Sequence, residues 1–145
     1  MAAGQTLLTL ASIVLLAIIS MNIRSMYVQS VHTTVNSQHT SDALNYGRDL
    51  SEEIQSYVFN YGEIINSRYA SMNDINDPGN RDSTLSPTNK MLYAITDISN
   101  EQPVLYNHHG RLITIRIYER NNMDSNQFDF LAEYVTAITD LNATD

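Results

Sequence analysis

The sequence predicts an α+β protein in which a long N-terminal hydrophobic α-helix extends into a small head with an antiparallel β-sheet. Three observations predict this class. Residues 6–23 form an uncharged apolar run, residues 41–70 repeat apolar side chains at helical spacing, and residues 112–118 alternate apolar and polar side chains. Helical spacing is the period with which a helix buries one face, and alternation is the period with which a strand does so. A helix followed by a sheet is therefore expected.

The apolar run from Thr6 to Ile23 is long enough to cross a bilayer. At the helical rise it extends about 27 Å, close to the hydrocarbon thickness. A cleaved secretory signal is disfavoured, because residues 1–5 hold no lysine or arginine and no small-residue cleavage site follows the run. An ordinary membrane anchor remains open. In that case the positive-inside rule would place Arg24, and the head behind it, in the cytoplasm.

The helix is expected to outgrow the membrane-length run. An apolar stripe continues at three- and four-residue steps, so we assign residues 1–35 to one hydrophobic helix. Residues 31–41 are rich in β-branched and short polar side chains, which lower helix propensity and predict a weak point or break there. The continuing stripe consists of Ile23, Tyr27, Val28, Val31 and Val35.

Residues 36–145 are assigned to one globular head, which begins with a second helix over about residues 41–70. Thr40 or Ser41, followed by Asp42, is a suitable N-terminal cap for that helix. Apolar residues at helical spacing predict its buried face. They are Ala43, Gly47, Leu50, Ile54, Tyr57, Val58, Tyr61, Ile64 and Ile65.

A loop and then strands are predicted for the rest of the head. Residues 72–90 are rich in Pro, Gly, Asn, Asp and Ser, which predicts an irregular surface loop without core residues. The β-strands are placed between about residues 91 and 140, the first of them at Met91–Ile98. Residues 103–106 and 112–118 flank the turn-like residues 107–111 and are expected to pair as a hairpin.

The clearest strand pattern is that of residues 111–120. Ile113, Ile115 and Ile117 are predicted to face the core, while Thr114 and its alternate neighbours face water. The last segment, residues 127–141, fits both a strand and a helix. We favour a strand, because a helix with only three short strands would leave an exposed sheet edge.

Composition restricts the function. Sixteen acidic residues against eight basic ones give a net charge of −8, and the basic residues are scattered along the sequence. Because phosphate binding needs a clustered basic face, no nucleic-acid contact is predicted. The chain has no cysteine, which excludes disulfides, thiol chemistry and cysteine-ligated zinc. No cofactor is expected.

The side chains that could bind a metal ion are weak candidates. Asp74, Asn76, Asp77, Asn80 and Asp82 could supply oxygen ligands to calcium, but Pro78 breaks the EF-hand order. The adjacent pair at residues 108 and 109 would point to opposite sides of a strand, and the histidines at 32 and 39 have no carboxylate at ligand spacing. We therefore predict no metal site.

Catalysis is likewise not predicted. Asp49, Glu52 and Glu53 lie between the apolar stripe positions of the second helix, so a solvated face explains them better than acid–base chemistry. We predict that the chain is not an enzyme. Asn142-Ala143-Thr144 matches the N-glycosylation sequon, a triplet that often arises by chance.

The residues resemble a family. Gly4-Gln5-Thr6-Leu7-Leu8 leading directly into an apolar helix is similar to the start of type IV pilins and type II secretion pseudopilins. The helix DALNYGRDLSEEIQSYVF and the strand RLITIRIY follow in the order found in the heads of minor pilins and pseudopilins. The glutamate usual at the fifth mature position of that family is replaced by Gln5 if the mature chain begins at Met1, or by Thr9 if cleavage follows Gly4. Gln5 can still hydrogen-bond a neighbour's terminal amine. Asn22 replaces its helix-kinking proline.

The resemblance implies a structural subunit of an extracellular pilus-like helical filament. Its partners would be identical subunits, the cytoplasmic membrane before assembly, and a pilus or secretion assembly machinery; the filament would lie at the cell surface. The alternative is a minor pseudopilin or a single-pass anchored surface protein that forms no filament by itself. The mature chain would begin at Met1 or Gln5. The implied assembly residues are Gly4, Gln5, Thr6, Leu7, Leu8, Leu10, Ala11, Ile13, Val14, Leu15, Leu16, Ile18, Ile19, Met21 and Ile23.

Overall fold

The computed structural model describes residues 2–105, 108–121 and 123–141. It confirms the α+β class, with one long apolar helix followed by a five-stranded antiparallel sheet. Two compact units divide at residue 38, Met1–Gln38 and His39–Asp145. The elements in chain order are helix α1 (Ala2–Gln55), a 3₁₀ helix (Ser56–Asn66), helix α2 (Arg68–Ser71), and strands β1 (Asp82–Leu85), β2 (Met91–Ile98), β3 (Gln102–Leu105), β4 (His108–Arg120) and β5 (Phe128–Thr139).

The break predicted for residues 31–41 is wrong, because α1 is one α-helix from Ala2 to Gln55. The hydroxyl groups of Thr33 and Thr34 donate hydrogen bonds of 2.9 Å to the backbone carbonyls of Gln29 and Ser30, one turn earlier. Hydroxyls bonded in this way no longer compete with the helix for the backbone groups that follow. Low propensity alone therefore does not end the helix here.

The change of helical geometry comes later. The chain tightens into a 3₁₀ helix at Ser56, and Asn60 leaves helical geometry with φ −130° and ψ 57°. The cap predicted near Thr40 is also wrong, since α1 runs through that position. Asp42 accepts a hydrogen bond from Thr88 instead. The predicted second helix is thus the end of α1 together with the 3₁₀ helix and α2.

The long strand β4 organises the sheet. Ile113 pairs with Ile98 of β2 on one edge and with Thr136 of β5 on the other. Gly110 pairs with Gln102 of β3 on the β2 side, so β3 continues along the same edge as β2. β1 lies outside β2, and every pairing is antiparallel. The strand prediction for residues 127–141 is confirmed. The predicted hairpin is wrong in register, because residues 102–105 pair with residues 108–110 of β4, whereas residues 112–118 pair with β2 and β5.

The core lies between the sheet and the helices of residues 39–145. Ile113, Ile115 and Ile117 are fully buried, which confirms their predicted inward face. Each such side chain contributes about 1.5–3 kcal/mol by leaving water. On the helical side, Ala43, Leu50, Ile54, Tyr61 and Ile64 are buried as predicted.

Gly47 and Ile65 differ from the other residues of the predicted helical face. Gly47 is buried, and a Cβ on it would approach Cδ1 of Ile117 to 3.0 Å and Cβ of Tyr134 to 3.1 Å. The absence of a side chain therefore lets helix and sheet pack closely. Ile65 is 50% exposed, because the 3₁₀ helix has three residues per turn and its last positions leave the α-helical stripe.

Two predicted boundaries are wrong. The loop assigned to residues 72–90 contains strand β1 and contributes the buried side chain of Met72 to the core. The turn assigned to residues 107–111 is also shorter, because β4 begins at His108. Tyr106 and Asn107, which belong to the predicted hairpin, lie outside the described residues, as does the sequon at residues 142–144.

Candidate functional site

The first candidate site is the uncovered apolar surface of α1 in residues 2–38. Every described residue of this unit is exposed. Its best window of 18 residues has a mean hydropathy of 2.2, so α1 is long and apolar enough to cross a membrane. Such a surface requires an apolar environment other than water. The large side chains of residues 7–23 are 46–73% exposed: Leu7, Leu8, Leu10, Ile13, Val14, Leu15, Leu16, Ile18, Ile19, Met21 and Ile23.

Three hydroxyl side chains of the apolar run are hydrogen-bonded within the helix. Thr6 donates to the carbonyls of Ala2 and Ala3, Thr9 to those of Gln5 and Thr6, and Ser12 to that of Leu8, at 2.9–3.1 Å. A polar group left unbonded in hydrocarbon costs several kcal/mol. Internal bonding removes that cost, so these residues are compatible with lipid and with a packed helix interface.

Small residues reduce the width of the helix at several points. Gly4 has open space where a Cβ would stand, and Ala11, Ala17 and Ser20 lie on the same exposed helix. Small side chains let two helices approach closely and gain dispersion contacts along their backbones. The predicted assembly residues 4–23 therefore form one continuous surface that can serve a membrane or neighbouring helices.

Polar side chains also lie within and beside the membrane-length run. In the described part of the chain, Gln5, Asn22 and Arg24 make no side-chain hydrogen bond or ion pair, and all three are exposed. Arg24 is the only charged side chain before Asp42 if histidine is neutral. An amide or guanidinium near an apolar surface takes a partner when one is available. These groups mark positions where an external contact would be specific.

The calcium candidates already serve the loop itself. The carboxylate of Asp74 accepts a hydrogen bond from the backbone N–H of Asn76, and that of Asp77 accepts from Gly79 and from the amide of Asn80. These are Asx-type turns, which short polar side chains make without metal. Among the described residues no group of three or more His, Asp or Glu side chains is placed to hold a metal ion.

The histidines are separated in the structure. His39 lies 3.6 Å from a carboxylate oxygen of Glu119 (Nδ1 to Oε2), whereas His32 is on the exposed surface of the first unit. His108 and His109 occupy successive positions of β4 and therefore point to opposite faces, as predicted.

The three carboxylates considered for acid–base chemistry also separate. Asp49 and Glu52 are exposed, but Glu53 accepts hydrogen bonds from the hydroxyl of Tyr69 and from Arg68 at 2.8 Å. The Tyr69 hydrogen bond, aided by Arg68, lowers the pKa of Glu53, while burial and the Glu53 contact raise the pKa of Tyr69 to about 12. These contacts join α1 to α2 and act as a structural link.

A second cluster was missed by sequence reasoning. Arg81 and Arg120 are 39 positions apart in the sequence, yet both guanidinium groups lie over the rings of Tyr93 and Phe128. The basic residues are therefore not all scattered in space. The alternation of β4 placed Arg120 on its outer face, but only the pairing of β1 with β2 brings Arg81 to the same place.

Fold and surface together define an α+β protein with a single apolar helix capable of crossing a membrane and a sheet-containing head. No family model, curated protein or solved structure matches the chain.

Proposed function

We propose that this protein is a structural subunit of an extracellular helical filament of the type IV pilus kind, polymerised through the N-terminal helix. The helix would be held in the cytoplasmic membrane before assembly and would lie in the filament core afterwards. The observation that carries the proposal is an apolar surface left entirely uncovered over residues 2–38. The resemblance of residues 4–8 to the start of pilins and pseudopilins supports the proposal.

The mechanism follows from the energetics of that surface. Lipid tails are as apolar as leucine side chains, so transfer from lipid to a helix bundle keeps the apolar atoms away from water. Close packing at Ala11 and Ala17 would then supply dispersion contacts that favour the bundle. If each subunit contacts the next through the same head-to-tail interface, and the repeated rotation does not close into a ring, the assembly is a helical fibre. The acidic heads would coat its outside.

The alternative function is a minor pseudopilin or a membrane-anchored surface protein that forms no filament by itself. The same uncovered helix would serve as its anchor. The two functions differ in whether the helix surface must fit a second helix, because a lipid environment tolerates any apolar side chain of suitable length.

Electron microscopy of sheared surface fractions tests the proposal. Thin fibres that contain this chain, identified by mass spectrometry, are expected. If the chain is found only in detergent-extracted membranes, the filament function is wrong and the anchored function remains. Mass spectrometry of the fibre protein also determines whether the mature chain begins at Met1 or at Gln5.

A matched pair of variants separates packing from membrane insertion. Ala17→Leu makes the helix more apolar, so membrane insertion should persist, but its larger side chain would hold neighbouring helices apart and remove fibres. Leu10→Met keeps side-chain volume nearly constant and should leave fibres intact. Equal fibre yield from both variants would contradict close helix packing.

A further inference from the structure

An aromatic and guanidinium cluster lies on the outer face of the sheet, away from the core. We define it as Arg81, Tyr93, Arg120 and Phe128. The rings of Tyr93 and Phe128 meet edge to face with centroids 5.2 Å apart. Cζ of Arg81 lies 4.6 Å from the ring centroid of Tyr93 and 5.1 Å from that of Phe128. Cζ of Arg120 lies 5.6 Å from the centroid of Tyr93 and 5.7 Å from that of Phe128. Two positive charges therefore converge on one aromatic pair.

Neither guanidinium of the cluster is paired with a carboxylate of the described residues. In the described residues no carboxylate lies within ion-pair distance of Arg81 or Arg120, although the chain has sixteen acidic residues. Bringing two like charges together is unfavourable without a counter-ion. A structure of net charge −8 thus carries a local positive site with unused hydrogen-bond donors.

Two of the three carboxylates nearest in sequence have other partners. Asp82 lies 3.7 Å from the guanidinium of Arg68, whereas Glu119 has its Oε2 buried 3.6 Å from the imidazole of His39 without a hydrogen bond among the described residues. Asp129 accepts two hydrogen bonds, of 3.0 and 3.1 Å, from the side-chain amide of Asn121. These contacts leave the guanidinium groups of the cluster available to an external anion.

The cluster is held in place before any ligand arrives. Arg81 donates a hydrogen bond of 2.7 Å to the backbone carbonyl of Ile75, and Tyr93 is only 8% exposed. A guanidinium that stacks on a ring keeps its N–H edge free for bidentate contact with a carboxylate or a similar oxyanion. Preorganisation lowers the entropy cost of binding.

An exposed ring continues the cluster along the sheet. Phe130 is 56% exposed, lies two residues from Phe128 on β5, and packs edge to face on Tyr118 at 5.7 Å. Residues two apart on a strand share one face and are about 6.6 Å apart. A ligand that joins an anionic group to an apolar ring face can therefore contact the arginines and Phe130 together.

We infer that Arg81 and Arg120 form a binding site for the carboxylate of an acidic sugar polymer, with the neighbouring sugar ring lying against Phe130. A polyuronate has one carboxylate per ring and an apolar C–H face on each sugar. In a polyuronate the carboxylate and the C–H face belong to the same ring, which matches two guanidinium groups beside one exposed aromatic ring. Nucleic acid is the competing ligand class, and the displacement experiment below distinguishes the two. This inference does not depend on filament formation.

Fluorescence anisotropy with a labelled oligogalacturonate tests the site, using the full chain in nonionic polyoxyethylene micelles. Wild type should bind, and Arg81→Gln or Arg120→Gln should each weaken binding about tenfold or more. Arg48→Gln is the matched control, since it removes the same charge from an exposed helix position. If the control weakens binding equally, or the cluster variants do not weaken it, the site is wrong.

Two further variants test its geometry. Arg120→Lys keeps the charge but loses the planar fork, so it should also weaken binding; wild-type affinity would contradict a stacked guanidinium. Phe130→Ala should weaken binding of the oligomer while thermal unfolding confirms a folded head. An unchanged affinity in that variant would overturn the sugar-ring contact.

Competing probes identify the ligand class. Unlabelled oligogalacturonate should displace the probe at lower concentration than inorganic phosphate or a single-stranded oligothymidylate of equal length. Displacement by phosphate at the same concentration would mean that the site takes a free anion only. Stronger displacement by oligothymidylate would assign it to nucleic acid. Either result overturns the acidic-sugar assignment.

Discussion

The hydroxyl group of Thr88 donates a hydrogen bond of 2.9 Å to the carboxylate of Asp42, 46 positions earlier in the chain. Asp42 is 8% exposed, and the Thr88 hydroxyl also lies 2.8 Å from that of Ser86. The backbone N–H of Lys90 donates to Ser86, which completes a tight turn between β1 and β2 that includes Asn89 at φ 60°. One buried carboxylate thus fixes the turn to α1.

Replacing Asp42 should therefore destabilise the head. We expect Asp42→Ala to lower the free energy of unfolding by about 1–3 kcal/mol, because the charge-assisted hydrogen bond from Thr88 that joins the β1–β2 turn to α1 is lost. Asp42→Asn keeps an acceptor oxygen and should cost less. Urea titration followed by circular dichroism measures the loss. Asp49→Ala, on an exposed position of the same helix, should stay within about 0.5 kcal/mol of wild type.

Gly110 should tolerate no side chain. A Cβ there would lie 2.5 Å from the carbonyl oxygen of Ile138 and 2.8 Å from Cγ2 of Val104, so the strands on both sides of β4 must move. We expect Gly110→Ala to cost about 1–3 kcal/mol, the typical effect of overpacking. Gly62→Ala is the control, because no atom lies within 4 Å of its added Cβ. A stability loss of similar size in both variants would show that the glycine's backbone freedom, not space, matters.

The lowered pKa of Glu53 should give the head an acid-sensitive link. A carboxyl group with a folded pKa below its unfolded value of 4.5 stabilises the fold above that pH, and this stabilisation disappears as pH falls through the folded pKa. Glu53→Gln should therefore be less stable than wild type at pH 7, and the difference should shrink below about pH 4.5. Thermal unfolding at several pH values measures it.

The control for that experiment is Glu52→Gln, whose side chain is 73% exposed beside Arg48. Exposed pairs of this kind contribute little to stability. A stability difference for Glu53→Gln that stays constant from pH 7 to pH 2 would contradict the assigned role of the Tyr69 and Arg68 hydrogen bonds.

Tyr69 should limit stability in alkali. The folded pKa of Tyr69, about 12, lies above the ordinary value of 10.0. The contribution of Tyr69 to the free energy of unfolding is therefore complete below pH 10 and is lost as the pH rises toward 12. In Tyr69→Phe this loss should become smaller but not vanish, because burial also raises the pKa of Tyr46 and Tyr61. Unfolding titrations between pH 9 and 12 measure it, with Tyr27→Phe as the exposed control. An unchanged alkaline slope in Tyr69→Phe would contradict the prediction.

Local patterns allowed much of the fold to be predicted. The alternation around Ile113, Ile115 and Ile117 specified both a strand and its buried face, since a period of two admits no helix. Residues 31–41 misled us because propensity is a weak prior, and hydroxyl groups such as that of Thr34 were satisfied inside the helix.

Contacts between distant residues were beyond prediction. Thr40 or Ser41 followed by Asp42 looked like the start of a helix because capping is a local rule. The true partner of Asp42 is Thr88, which the β1–β2 turn brings near. Arg81 and Arg120 looked scattered for the same reason. Nothing within a few residues of either one specifies the other.

The sequence by itself determined a membrane-length apolar helix followed by a sheet-containing head, since length and periodicity are properties of short segments. Only the tertiary structure decided where α1 ends, which carboxylates are buried, and that two arginines share one aromatic pair. These depend on strand register and on packing between distant segments. Both arise from the free energy of the whole fold and are not encoded in any local window of the chain.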